Sequence, residues 1–191
     1  MADIGAEILQ RYSEQKLLAS RALFISEGID AKVARRVISD LLVLDREASD
    51  PITVYINSPG GEINSGFAIF DVMRYINSTV RIINAGLCAS IATIINVAAS
   101  KENRFALPNS QFLIHQPLIM GHVEGQASDL EITAREILKT REKINRLLSE
   151  ECGQALERVS EDTIRDYWMN AEEALAYGLV SKIISSKDEL K

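Results

Sequence analysis

The sequence predicts a single α/β domain made of successive strand-helix units, and three observations support this prediction. The chain has 191 residues, 47% of them hydrophobic, which is enough to bury the core of one medium-sized domain. Short β-rich runs alternate along it with segments of helical periodicity. No short repeat, low-complexity segment or Pro- or Ser-rich linker interrupts it. We therefore expect one domain over residues 1–191, with residues 1–20 as an N-terminal segment.

The predicted strands are short apolar runs bounded by turn residues. The turn Asn57–Gly61 follows the second strand, and Gly86 is expected to end the third. The six predicted strands are Ala22–Ile25, Ile52–Ile56, Val80–Ile83, Arg104–Ala106, Gln111–Ile114 and Leu179–Ile184. Apolar side chains at helical spacing predict helices at Glu7–Leu18, Ala31–Leu44, Phe67–Ile76, Ser90–Ala99, Gln126–Cys152, Gln154–Tyr167 and Ala171–Tyr177.

Composition argues against several classes of function. A net charge of -6 does not provide the basic surface that nucleic-acid binding needs. Cys88 and Cys152 are too few for a disulfide framework and lack metal-ligand spacing, which favours a reducing, cytoplasmic location. The start of the chain lacks the pattern of a secretory signal. The most apolar stretch contains Asn84, Ser90 and Asn96, so we interpret it as a buried strand and helix rather than a membrane span.

The candidates for a proton shuttle at neutral pH are His115 and His122. His115 follows the apolar strand ending at Ile114, where a side chain emerges at the mouth of a sheet. A histidine there is a general base or a hydrogen-bonded structural residue, and position alone does not decide between them. His122 lies in a glycine-containing loop, which favours a solvated role.

Ser90 is the candidate nucleophile, because it lies where a strand gives way to a helix. A hydroxyl on such a turn is close to the N–H groups of the helix N-terminus, which can hold an oxyanion. The alternative is that Ser90 only caps the helix. Cys88 is a competing nucleophile, although a thiol between apolar neighbours is usually inert.

Gly60 and Gly61 form a loop between a strand and a helix, and no Lys-Ser or Lys-Thr pair follows to make it a phosphate site. The loop is an ordinary turn or a place of close backbone approach, with the Gly61 N–H as an oxyanion donor. A third catalytic group would be a carboxylate. The residues alone leave four candidates open: Asp71, Asp129, Asp162 and Asp166.

From Arg21 to Ile184 the chain resembles the proteolytic subunit of the Clp protease, a self-compartmentalising serine peptidase. The resemblance is carried by five motifs: YINSPGGEINSGFAIFDVM (Tyr55–Met73), GLCAS ending at Ser90, FLIHQP around His115, GQASDLEITAREIL (Gly125–Leu138) and DTIRDYWMNAEEALAYGLV (Asp162–Val180). It implies a crotonase-like spiral of strand-helix units, with a helical handle over residues 125–152.

The resemblance also assigns roles. It implies Ser90 as nucleophile, His115 as base and Asp166 as orienting acid, with the backbone N–H groups of Gly61 and Ile91 as the oxyanion hole. It implies two stacked heptameric rings joined through the handle helix, and an ATP-dependent Clp-family AAA+ unfoldase that feeds unfolded proteins to them. No cofactor or metal is expected on this chain, because ATP would be used by the unfoldase. Neither a nucleic-acid partner nor a membrane is expected.

The chain departs from the family pattern at the nucleophile, where Cys88, Ala89, Ser90, Ile91 and Ala92 replace the usual Ala-Ala-Ser-Met-Gly. We expect the β-branched Ile91 to stiffen an oxyanion donor and to line the first substrate pocket, favouring apolar residues before the cut. A second hypothesis is therefore a weakly active structural or regulatory paralogue that works in a mixed complex with a second subunit. A third, an acyl-CoA enzyme of the wider crotonase group, needs no combination of Ser90, His115 and Asp166.

The other departures lie away from the nucleophile. The loop after His115 is longer than usual, and Ile164 takes the place of an acidic residue that often contacts the opposite ring. The N-terminal segment also differs from the usual axial-loop pattern, which bears on how an unfoldase would dock.

Overall fold

The computed structural model describes residues 12–118 and 125–190. Residues 12–19 are helical and form helix α1, so the later part of the predicted helix Glu7–Leu18 is confirmed and its start lies outside the described residues. His122 and most of the loop that follows His115 also lie outside them.

Seven strands and seven helices make up the described part of the chain. The strands are β1 (Ala22–Ile25), β2 (Ile52–Ser58), β3 (Val80–Ala89), β4 (Arg104–Ala106), β5 (Gln111–Ile114), β6 (Tyr167–Asn170) and β7 (Lys182–Ile183). After α1, the helices are α2 (Ala31–Glu47), α3 (Ile63–Tyr75), α4 (Ile91–Asn96), α5 (Ala127–Cys152), α6 (Leu156–Asp162) and α7 (Ala171–Tyr177). Short 3-10 turns occupy Lys101–Asn103 and Lys187–Leu190.

The sheet divides at β3. Its main path runs β1-β2-β3-β4-β7 with every pair parallel, as expected when helices connect the strands. The first half of β3 pairs with β4 through Ile82 to Asn84, and the second half pairs with β5 through Leu87 to Ala89. Strand β6 then adds to β5 in the antiparallel direction. The strand ends that carry Ser90 and His115 are therefore neighbours.

Gly86 makes this division possible. Its φ of 131° lies in the region that glycine favours, and a Cβ there would be 2.5 Å from Oδ1 of Asn57. That same oxygen accepts the Leu87 N–H at 2.9 Å, which holds the bend. The predicted end of the strand at Gly86 is wrong, because the glycine bends β3 without ending it, and the strand continues to Ala89.

Three other boundaries differ from prediction. Helix α4 ends at Asn96 rather than Ala99. The predicted helix Gln154–Tyr167 is shorter, because α6 ends at Asp162 and Tyr167 begins strand β6. The last predicted strand is reduced to two residues, Lys182 and Ile183. The other predicted strands and helices lie where periodicity placed them, and of these β2, α2 and α3 are longer than predicted by two or three residues.

Helix α5 has two environments. Its buried residues, Ile144, Asn145, Leu148 and Cys152, all lie in the second half. The first half carries the exposed apolar side chains Leu130, Ile132 and Leu138. The predicted handle at 125–152 is thus a helix from Ala127, preceded by the cap residue Gln126, and the first half of this helix holds none of its buried residues.

Candidate active site

Ser90 occupies a strained turn between β3 and α4. Its φ of 56° is one of only two positive values among the described non-glycine residues. The surrounding structure fixes this conformation, because the Ser90 N–H donates to the Leu113 carbonyl at 2.8 Å, while the Ser90 carbonyl accepts from the Thr93 N–H and hydroxyl at 3.0 and 2.6 Å. A strained backbone held from both sides is typical of a functional residue.

The loop of Gly60 and Gly61 packs directly against this turn. A Cβ on Gly60, whose φ is 90°, would lie 2.7 Å from Cβ of Ser90 and 3.2 Å from the Ile91 nitrogen. A Cβ on Gly61 would overlap the Ile29 carbonyl. Among the described residues, no backbone carbonyl accepts from the N–H of Gly61 or of Ile91. Two free donors therefore lie on adjacent stretches of backbone beside Ser90.

His115 follows the last residue of β5 and reaches both neighbours. Its Nε2 is 2.8 Å from Oγ of Ser90, and its Nδ1 is 2.9 Å from Oδ1 of Asp166. The His115 side chain is 14% exposed and the Asp166 side chain 62%. Ser90, His115 and Asp166 thus form a row of hydrogen bonds with one nitrogen of the imidazole facing each partner.

Asp166 reaches His115 because β6 pairs with β5. The antiparallel register aligns Ile114 with Tyr167, so the residue after one strand meets the residue before the other. Gln116 strengthens the junction: its N–H donates to the Thr163 carbonyl at 2.7 Å, and its Nε2 donates to the Ile164 carbonyl at 2.8 Å. Gln116 lies within the FLIHQP motif, but no role was predicted for it from the sequence.

The other candidates have different surroundings. The Tyr177 hydroxyl donates to Asp162 at 3.1 Å, while Asp71 and Asp129 lie exposed on α3 and α5. Cys88 is fully buried, and burial raises the pKa of its thiol far above the usual range, so the reactive thiolate is not formed near neutral pH. Of the two candidate nucleophiles and the four candidate carboxylates, Ser90 and Asp166 are the ones whose side chains contact His115 in the part of the chain that the structure describes.

An apolar cavity of about 20 Å³ opens beside Ser90. We call it the first substrate pocket, and its walls are Ile63, Ile91, Thr93, Ile94, Ile114, Pro117, Ile144 and Leu148, together with Ser90 and His115. Within residues 12–118 and 125–190 there is no cluster of metal-ligating side chains. A search of those same residues finds no helix long and apolar enough to cross a membrane.

A hydroxyl beside an imidazole whose second nitrogen contacts a carboxylate, next to two free N–H groups, is the arrangement of a serine hydrolase. Comparison with known proteins gives the family. The Clp protease family model matches residues 6–187. The ATP-dependent Clp protease proteolytic subunit 2 of Pseudomonas aeruginosa is 45% identical over 187 residues, covering 98% of this chain and 90% of that protein. Subunit 3 of Rhizobium etli is 44% identical, covering 95% and 93%.

Solved structures agree with the sequence comparisons. A point mutant of ClpP1 from Listeria monocytogenes superposes with a TM-score of 0.85 at 43% identity, covering 93% of this chain and 98% of that one. The chain belongs to the Clp protease family, and its function is that of a proteolytic subunit. The predicted crotonase-like α/β fold is confirmed.

Proposed function

We propose that the chain is a serine endopeptidase in which Ser90 is the nucleophile, His115 the general base and Asp166 the orienting acid. The observation that carries the proposal is the row of hydrogen bonds, at 2.8 and 2.9 Å, that joins the three side chains. All three are present and in contact within one chain, which favours catalysis over a purely structural role.

In the proposed reaction, Nε2 of His115 removes the hydroxyl proton as Oγ of Ser90 attacks a peptide carbonyl carbon. The carbonyl oxygen becomes an oxyanion that the N–H groups of Gly61 and Ile91 stabilise. Collapse of this intermediate breaks the C–N bond, and His115 donates the proton to the leaving amine. Water, activated by the same imidazole, then hydrolyses the acyl-enzyme. Asp166 holds the Nδ1 proton and so keeps Nε2 free to accept.

Labelling with a fluorophosphonate probe tests this assignment, because the probe reacts with an activated serine. We expect wild-type protein to be labelled, Ser90→Ala to lose all labelling, and Ser39→Ala, which removes an exposed hydroxyl on α2, to label normally. Labelling that persists in Ser90→Ala would assign the nucleophile elsewhere. An assembled wild-type protein that is never labelled would contradict the proposal.

The proposed assembly is two stacked heptameric rings, a tetradecamer that encloses the active sites. Support comes from the first half of α5, where the apolar side chains of Leu130, Ile132 and Leu138 are 39%, 58% and 51% exposed. A helix with such a surface gains stability by packing against a copy of itself. We expect Ile132→Asp to shift native mass from the double ring to single rings, whereas Lys139→Asp on the same helix should shift it much less.

We further propose a Clp-family AAA+ unfoldase as the partner that binds ATP and delivers unfolded proteins, and a cytoplasmic location. The relatives' names include "ATP-dependent", which supports the first part. The two buried cysteines, both free, fit a reducing compartment. Degradation of an unfolded reporter should require both the unfoldase and ATP, while cleavage of short peptides should require neither.

A second candidate function is a weakly active or structural subunit in a mixed complex with a second paralogue. The relatives carry the subunit numbers 2 and 3, and 62% of the Asp166 side chain is exposed rather than enclosed by its own chain. Peptide hydrolysis by the purified chain separates the two candidates. Activity that rises only when another proteolytic subunit is added would favour the mixed complex.

A further inference from the structure

The cavity beside Ser90 is small for the side chain of a substrate. Its volume of about 20 Å³ is far below the volumes of about 300, 330 and 580 Å³ of three other clefts among the described residues. Seven of its ten lining residues are isoleucine, leucine or proline, and Ile91, Ile94 and Ile114 are each no more than 2% exposed. The cavity is therefore suited to a side chain that is apolar and small.

Ile91 cannot easily move aside to enlarge the cavity. Its side chain packs on α3 at Gly66, where a Cβ would overlap Cγ1 of Ile91, so the two helices already interlock at this point. A β-branched side chain in a helix also has one strongly preferred rotamer. Movement away from the cavity would drive Ile91 into the backbone of α3.

The part of the cavity wall that helix α5 contributes is also fixed in place. Ile144 and Leu148 reach the cavity from α5, and the end of that helix is fixed by Glu151. The Glu151 carboxylate pairs with Arg104 and Arg74, and its backbone carbonyl accepts from Arg104 at 3.0 Å. Both walls of the cavity are thus tied to neighbouring elements.

We propose that this chain cleaves after alanine-sized residues and discriminates against leucine, methionine and phenylalanine before the cut, with Ile91 as the residue that sets the limit. The inference rests on the proposed function and adds a size limit to the apolar preference expected from the sequence. Forcing extra carbon atoms into a packed apolar site costs free energy, and one methylene changes specificity by about 10- to 200-fold.

Covalent labelling by two peptidyl phosphonates that differ only in the residue before the reactive phosphorus, alanine or leucine, tests the limit without requiring turnover. We expect wild-type protein to react at least tenfold faster with the alanine probe. Ile91→Ala, which retains the backbone N–H, should bring the ratio to one or below. Ile144→Ala opens the part of the wall that α5 contributes and should move the ratio the same way, which keeps the test valid if Ile91→Ala does not fold.

Val97→Ala serves as the matched control, since Val97 is buried at the end of α4 but does not line the cavity. It should leave the ratio at the wild-type value. Equal rates for the two probes in wild type, with Ser90 labelled normally by a fluorophosphonate, would overturn the size limit alone. Failure of all three reagents would overturn the proposed function and the size limit together.

Discussion

Ser90 and Asp166 lie at opposite ends of the same row of hydrogen bonds, but the fold holds them in different ways. Ser90 is fixed by hydrogen bonds at its backbone N–H and at its backbone carbonyl, and by the close approach of Gly60. The Asp166 side chain is 62% exposed. It lies on a loop that is joined to the end of β5 by the hydrogen bond from Gln116 to the Ile164 carbonyl. Ser90 is thus positioned by packing within the core, whereas Asp166 is positioned by a few polar contacts at the surface.

Asp166→Asn should have the largest effect, because the amide favours the wrong tautomer of His115. We expect kcat for a short peptide to fall about 10³-fold, less than the loss of about 10⁴ known for an enclosed acid, since water reaches Asp166. Asp71→Asn, a matched change at an exposed position, should be neutral. A loss smaller than tenfold would mean that water orients the imidazole as well as Asp166 does.

Gly60→Ala tests how far the position of Ser90 depends on the close packing of Gly60 against it. A Cβ there would be 2.6 Å from the Ala89 carbonyl and 2.7 Å from Cβ of Ser90, at a φ that alanine rarely adopts. We expect kcat/KM to fall about 10²-fold, the scale of a 1 Å misplacement. Gly28→Ala is the control, because its Cβ would meet only the Gly60 carbonyl at 3.8 Å. Full activity of Gly60→Ala would show that the turn adjusts.

Gln116→Ala tests how far the position of Asp166 depends on the polar contacts of its loop. It removes the bond to the Ile164 carbonyl but leaves the backbone bond to Thr163, so we expect about a fivefold fall in kcat, equivalent to a net hydrogen bond of about 1 kcal/mol. The KM should not change, since Gln116 does not line the first substrate pocket. Gln111→Ala, at the exposed start of β5, is the control. A rise in KM with constant kcat would assign Gln116 to substrate binding instead.

Glu151→Gln should have the smallest effect on peptide hydrolysis. Its main effect should be to lower the free energy of unfolding. Arg104, 1% exposed, would lose its carboxylate partner, which should cost on the order of 3 kcal/mol in free energy of unfolding. Burial raises the pKa of Glu151, but hydrogen bonds from Arg74 and Arg104 outweigh burial and hold it below the usual value.

The sign of the pH dependence follows from that shift. A lowered folded-state pKa gives stability that is present above the unfolded pKa, near 4.3, and is lost as pH falls through the folded value. Denaturant unfolding at pH 7 and at progressively lower pH should show the difference between wild type and Glu151→Gln narrowing in acid. A constant difference across that range would contradict the ion-pair explanation.

Sequence reasoning succeeded where the signal is local. The periodicity of α2, α3 and α5 and the apolar runs of β1, β2, β4 and β5 each depend on neighbouring residues, and those elements were predicted nearly in place. Strand β6 was missed because a four-residue strand after a short helix has too little alternation to be separated from the helix. Its pairing with β5 depends on residues about fifty positions apart.

The separation of β5 and β6 along the sequence also explains why the candidate site was predicted only in part. Ser90 begins a predicted helix and His115 directly follows a predicted strand, so both could be selected as candidates from position alone. The choice of Asp166 among four carboxylates needed the β5-β6 register, or the resemblance to a family that already includes it. The size of the first substrate pocket depends on how Ile91 packs on Gly66, which no single-sequence pattern reports.

The bend at Gly86 has a consequence for how this sequence can diverge. Beyond it, Leu87 to Ala89 pair in register with β5 before the chain turns at Ser90, and each residue of a strand alternates between faces. Exchange of Cys88 or Ile91 for another residue leaves that count intact. Insertion or deletion of one residue between positions 86 and 90 would rotate the hydroxyl to the opposite face. The register with β5 therefore fixes the length of this segment, whatever side chains the segment carries.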